Sequence, residues 1–326
     1  MFLSVLVAVP VHADENDEAD SIEDRAMLAL WWGDFAELER LYDKAKRSSS
    51  RTASGRVELA LFRRGISRAL NGSDNDAAIY FSQVESLTRQ WVAEHPRSPL
   101  AHLLYARSLY ARAWNYRGAG YASKVSPQAW ADFRKYIRMA EEHLSCHSSV
   151  VISDSTTHIY LLMLGRSSGW SREQMWGIAQ DGLRRNPDDD GIYEEMLFSL
   201  LPKWGGNAEA MDRVIQDAVE RTKNARGLEM YARLYHFVAT DISAELFTQT
   251  KADWKKVKAG FDDFVARHPH PLNLNAFAFL ACLAQDKPVA ADMLKQIGDS
   301  PLIKQWGGGS SGRAHYESCK RWVRSE

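Results

Sequence analysis

Cysteine is scarce in this chain, with Cys146, Cys282 and Cys319 the only three in 326 residues. That excludes a disulfide-framework scaffold and allows at most one intramolecular bridge. The pairing expected is Cys146 with Cys319. Cys282 ends the apolar stretch 276–281, the pattern of a buried helix, and reads as a packed free thiol. An excess charge is also missing: 41 Lys and Arg face 42 Asp and Glu, a net charge of −1. No global field therefore draws the chain to nucleic acid or anionic lipid, and no nucleic-acid partner is expected. No apolar run reaches the roughly 18 residues of a membrane span, so none is expected. A phosphate-binding Gly-rich loop and a His-Glu-x-x-His pair are absent, leaving no signature of those chemistries.

The chain is rich in large rings, with 11 Trp, 12 Tyr and 12 Phe. Such rings fill gaps between crossing helices and also line binding grooves. Residues 2–11 are almost wholly apolar and are followed by Val11-His12-Ala13 and an acidic stretch. Small residues ahead of that acidic stretch predict a signal peptide over 1–13, cleaved after Ala13, and a periplasmic or secreted protein. The basic segment that normally opens such a peptide is missing, which predicts a true start upstream.

Beyond the leader the pattern is helical nearly throughout. Tyr80, Val84, Leu87 and Trp91 fall on one stripe; so do Met211, Val214, Ile215, Ala218 and Val219, and so do Trp254, Val257, Phe261, Phe264 and Val265. Three helices are expected to close alike, at His95-Pro96, Asn186-Pro187 and His268-Pro269, because a residue before proline is pushed out of the helical region. New helices should begin near Leu100, Ile192 and Leu272. Asn207 and Asp76 are candidate N-caps, and the Asp188-Asp189-Asp190 run reads as a capping loop. The fold class predicted is all-α.

The first hairpin carries Trp31-Trp32-Gly33-Asp34-Phe35 and then Leu38, Tyr42 and Ala45. Gly33-Asp34-Phe35 resembles the turn of the tetratricopeptide family, which implies antiparallel hairpins stacked as an irregular α-α superhelix. The order Trp91 with His95-Pro96, Arg117-Gly118-Ala119-Gly120, Asn186-Pro187 and Leu201-Pro202-Lys203-Trp204-Gly205-Gly206 also resembles the DUF4034 family of bacterial proteins. That resemblance implies a helical, tetratricopeptide-like fold and no activity. The organisation expected is a signal peptide over 1–13, a DUF4034-like repeat region over 14–227 and further hairpins over 228–306. A Gly/Ser connector with a short C-terminal helix completes it over 307–326.

The best candidate surface lies within residues 97–138, where eight cations face the lone Asp132 for a local balance of +7. Arg107, Tyr110, Trp114 and Arg117 recur at three- and four-residue spacing, and Arg112 and Tyr121 extend the set. Guanidinium and aromatic groups on one face suit an anionic peptide or glycan-phosphate, because Arg forks carboxylates and stacks on rings, and the partner expected is a protein or peptide. In the bland alternative the rings are core and the cations merely solvate the outside or pair with the acidic leader.

His143, Cys146 and His147 stand at i, i+3 and i+4, three soft donors on one helix. Zinc needs further ligation, and no distal Cys-x-x-Cys or His pair answers them, so no metal and no cofactor is expected. His102, His158, His236 and His315 read as isolated core-edge residues or caps. Three readings follow: a binding scaffold without catalysis, a glycan- or peptide-cleaving hydrolase that uses the superhelix as a clamp, or a regulatory or immunity-type protein that sequesters one toxin or enzyme. The hydrolase would need Glu85 or Glu194 in a deep pocket.

Overall fold

The computed structural model describes residues 15–47, 51–70, 77–187, 189–307 and 309–325. The predicted signal segment and Asp76 lie outside them. Every regular element among the described residues is helical, with one isolated bridge between Arg51 and Val57. The chain divides into two compact units, Met1–Asn71 and Gly72–Glu326, a boundary inside the region read from sequence as one repeat block.

In the first unit, α1 (Glu15–Trp32), α2 (Phe35–Arg47) and α3 (Glu58–Ala69) pack pairwise. Gly33 takes φ +64° in the tight turn, a conformation glycine adopts without strain. The Asp34 carboxylate then accepts from the Glu37 amide at 3.0 Å and caps α2. Leu38, Tyr42 and Ala45 are buried, as the hairpin pattern predicts. Two acidic residues of α1 are answered locally: Glu23 pairs with Arg64 at 3.2 Å and Asp24 with Arg68 at 2.6 Å.

The second unit opens with α4 (Ala77–Glu94), α5 (Pro99–Arg117), α6 (Pro127–Cys146), the short α7 (Ser148–Val151) and α8 (Ser155–Ser168). It continues with α9 (Arg172–Arg185), α10 (Asp190–Ser199), α11 (Ala208–Arg226), α12 (Glu229–Ile242) and the short α13 (Leu246–Gln249). The last helices are α14 (Trp254–Arg267), α15 (Pro271–Leu283), α16 (Lys287–Ile297) and α17 (Gly309–Arg324). The three predicted stops hold: α4, α9 and α14 each end one residue short of the pre-proline position. Ser98, Asn207 and Asp189 cap the following helices through their side chains.

Each helix packs mainly on its sequence neighbours, while α5, α8, α10, α12 and α15 also touch in succession, forming one row. A single apolar core runs along it, from Leu103 through Tyr193 and Phe261 to Cys319. A buried ionic network pins the row midway. Arg226 of α11 is bidentate to Asp190 of α10 at 2.8 and 3.2 Å and reaches Glu229 of α12 at 2.6 Å. Burial pushes Glu229 up, but Arg226, Arg233 and Arg267 outweigh it and hold the carboxyl below its ordinary range.

Three expectations are corrected. The buried stripe of α4 is Phe81, Val84, Thr88 and Trp91, with Tyr80 half-buried and Leu87 exposed. Thr88 can be buried because its hydroxyl donates to the Val84 carbonyl at 2.8 Å and meets Ser108 Oγ of α5 at 3.1 Å. Ser310 and Ser311 lie in the first turn of α17, which begins at Gly309, so the helix is longer than the connector reading allowed. The disulfide joins Cys282 to Cys319, with Cα atoms 5.8 Å apart, and leaves Cys146 exposed and free. The helix spacing decides this pairing: Tyr316 and Cys319 share the buried face of α17 that packs on α15, where Cys282 sits.

Candidate functional site

Ser98 and Pro99 start α5, and the helix runs unbroken to Arg117, which sets Tyr110, Trp114 and Arg117 one turn apart on one side. The Trp114 ring meets Phe133 edge-on at 5.4 Å and Trp204 edge-on at 6.4 Å. Arg117 lies over both Trp114 and Trp130, at 5.3 and 5.6 Å from the ring centres. Its Nη1 donates to the carbonyls of Gly118 (2.9 Å) and Gly120, so the Arg-Gly-Ala-Gly string closes its own turn. Nε and Nη2 have no acceptor among the described residues.

Across the row, Arg166 of α8 extends this wall. Its guanidinium lies 4.6 Å from the Phe198 ring centre and 5.7 Å from that of Trp204, donates to Tyr110 Oη at 3.3 Å and pairs with Glu195. Trp204 is held by the turn after α10. Gly205 is left-handed there, and a Cβ on Gly206 would fall on the Leu200 carbonyl, so the Trp-Gly-Gly string is first a packing device. Trp204 is nonetheless 40% exposed and borders an open groove of about 210 Å³ with Arg166, Trp170 and Arg172. Trp114 Nε1 and Arg166 Nε, both beside this wall, are buried with no acceptor among the described residues.

The six residues singled out in the sequence thus divide. Tyr110, Trp114 and Arg117 come together. Arg107 is buried behind Tyr110, 5.2 Å from its ring centre. Arg112 is turned to another flank, paired with Glu85 and 4.8 Å above the Tyr136 ring. Tyr121 lies beyond the helix end, 86% exposed. Trp204, Arg166 and Phe198 were missed as partners of α5, being 49 or more residues away in sequence.

Of the cations between 97 and 138, Arg112 alone has a carboxylate partner among the described residues. Neither Glu85, held by Arg112, nor Glu194 lines this groove or the larger cleft of about 510 Å³ beside α6 and α8. A Gly-x-Ser-x-Gly spacing does occur at 308–312. Its described residues, 309–312, open α17 rather than following a strand, and nearby His315 Nδ1 is bonded to the Trp306 carbonyl at 2.9 Å, so they form no nucleophile elbow.

A second cluster joins distant parts of the chain. His102 of α5 is fully buried and meets His143 of α6, Nδ1 to Nε2, at 3.0 Å. His147 stacks on His102 with ring centres 4.2 Å apart. One ring nitrogen from each of the three lies within 4.8 Å of the others. The sequence reading had Cys146 in this set and His102 outside it. In the fold Cys146 faces the 510 Å³ cleft instead. Burial, and the two neighbouring imidazoles after it, push His143 down to about 4. Burial lowers His102 against the opposing effect of its Pro96 bond. For His102 and His143, burial favours the neutral form.

No family model, curated protein or solved structure matches the chain.

Proposed function

We propose that the chain is an exported helical-repeat scaffold that binds an acidic protein or peptide partner along the α5–α8–α10 wall, without catalysis. The observation that carries this reading is the unneutralised basic face. Among the described residues, Arg117 and Arg172 form no salt bridge with a carboxylate; Arg172 lines the open groove with exposed Trp204, and Arg117 lies over Trp114, whose ring meets Trp204. An acidic segment would fork the free Nε and Nη2 of Arg117 and lay its apolar groups on Trp204 and Tyr121. Arg107 supports the wall from behind Tyr110, and Arg112 belongs to another flank, so neither touches the partner. A stack of hairpins suits this task, since it offers an extended surface and needs no lid or cofactor. The disulfide suits an oxidising compartment, in keeping with export. The resemblance to the DUF4034 family attaches no activity that competes with this reading.

The test is fluorescence anisotropy with a labelled Glu/Asp-rich peptide containing one aromatic residue, beside its Lys-rich counterpart. The acidic peptide alone should bind. Arg117→Glu should weaken it at least about tenfold, the scale of one charge-assisted hydrogen bond, with an unchanged thermal unfolding curve. Equal affinity for both peptides, or no effect of Arg117→Glu, would refute the proposal.

A further inference from the structure

We propose that His102, His143 and His147 form a binding site for one divalent transition-metal ion of the zinc class, independent of the partner-binding wall. The argument begins with which nitrogens are free. His102 Nε2 lies 3.0 Å from the Pro96 carbonyl, and His147 Nδ1 lies 2.8 Å from the His143 carbonyl. A carbonyl oxygen only accepts, so both of these nitrogens carry the proton. The lone pairs of the two rings are therefore on His102 Nδ1 and His147 Nε2. This is the outer-shell arrangement that orients metal-bound imidazoles: one ring nitrogen bonded to a backbone carbonyl, the other aimed at the ion.

His143 completes the set. Its Nε2 faces the lone pair of His102 Nδ1 at 3.0 Å, so in the metal-free protein it holds the proton they share. An ion at this point replaces that hydrogen bond, with His143 moving its proton from Nε2 to Nδ1. The ring remains neutral and no net proton is released. Tetrahedral zinc with bonds of about 2.0–2.1 Å sets imidazole nitrogens roughly 3.3 Å apart, close to the separation already present between His102 and His143. Both His143 and His147 are only half-buried, giving an ion access from solvent and a fourth position for water. Three nitrogen donors select zinc, copper, nickel or cobalt over magnesium or calcium. The ion would clamp the first turn of α5 to the last turn of α6.

The experiment is calorimetric titration of the full chain, prepared without a polyhistidine tag, with Zn²⁺, Co²⁺ and Mg²⁺. One equivalent of Zn²⁺ and of Co²⁺ should bind, and Mg²⁺ should not. His147→Ala and His143→Gln should each weaken Zn²⁺ by at least about tenfold, the lower end of the loss expected even for outer-shell changes. Cys146→Ser should bind like the wild type. A measurement on the unaltered chain guards against a variant that fails to fold: Zn²⁺ should shift the ring resonances of His102, His143 and His147 and leave those of His158 and His236 in place. Absence of stoichiometric binding, binding indifferent to both histidine variants, or shifts confined to other histidines would overturn the assignment.

Discussion

At the residue scale, the chain repeatedly uses one carboxylate to tie several donor side chains. Asp181 accepts from His158 Nε2 at 3.0 Å, from Arg184 at 2.8 Å and from Arg185 at 3.0 Å. His158 first, then Arg185, hold its carboxyl down at about 2, against an ordinary value of 3.8. A carboxyl lowered in the folded state stabilises the protein above its unfolded value and loses that contribution as pH falls through the folded one. Asp181→Asn should therefore cost about 1 kcal/mol near neutral pH, after discounting for solvent screening. The gap to the wild type should close between about pH 4 and pH 2. Urea midpoints across that range check it, and a gap that stays constant would show the contacts to be sterically rather than electrostatically important. The histidine cluster lies at the same scale and was only partly visible in sequence, where the four-residue spacing joins His143 to His147. His102 stands 41 residues before His143, and no spacing rule joins a helix's first turn to the next helix's last.

At the scale of the element, most of the secondary structure was legible in the sequence. Pre-proline stops and polar caps act through neighbouring backbone groups, so they needed no tertiary information. The face of a helix that turns inward was less legible where a polar residue could be satisfied internally. Thr88 entered the core in place of Leu87 because Ser108 of α5 stood opposite, and only packing reveals that. The disulfide belongs here too. It closes a loop with a sequence separation of 37 and secures α17 to the end of α15. Chain-entropy reasoning for a loop of that size gives about 3–4 kcal/mol. Cys319→Ser should lower stability by up to that amount in denaturant titrations, and excess reductant should do the same to the wild type. Cys146→Ser should change neither, since that thiol is exposed and unpaired.

At the scale of the whole molecule, the second unit is a row in which each helix depends on the ones beside it. Stability in such an arrangement is carried by neighbouring interfaces, and local damage stays local. Phe261 of α14 is buried and stacks on Phe277 of α15 with ring centres 4.9 Å apart. Phe261→Ala should cost about 3–5 kcal/mol locally. Hydrogen exchange should then accelerate in α12, α14 and α15, while α4, α5 and α6 keep their protection. A uniform loss across the second unit would mean that it unfolds as one cooperative body. The proposed binding wall follows from the same arrangement, because α5, α8 and α10 bring together Trp114, Arg166 and Trp204.

The sequence alone determined the all-α class, the places where many helices begin and end, and the basic, aromatic character of α5. These are local properties, set by backbone sterics, capping and charge within a few residues. Tertiary structure alone decided which cysteines pair, which cations are neutralised and which histidines meet. Each of those depends on helices packing side by side across long stretches of chain, and a side chain's neighbours there are chosen by geometry that no short spacing encodes.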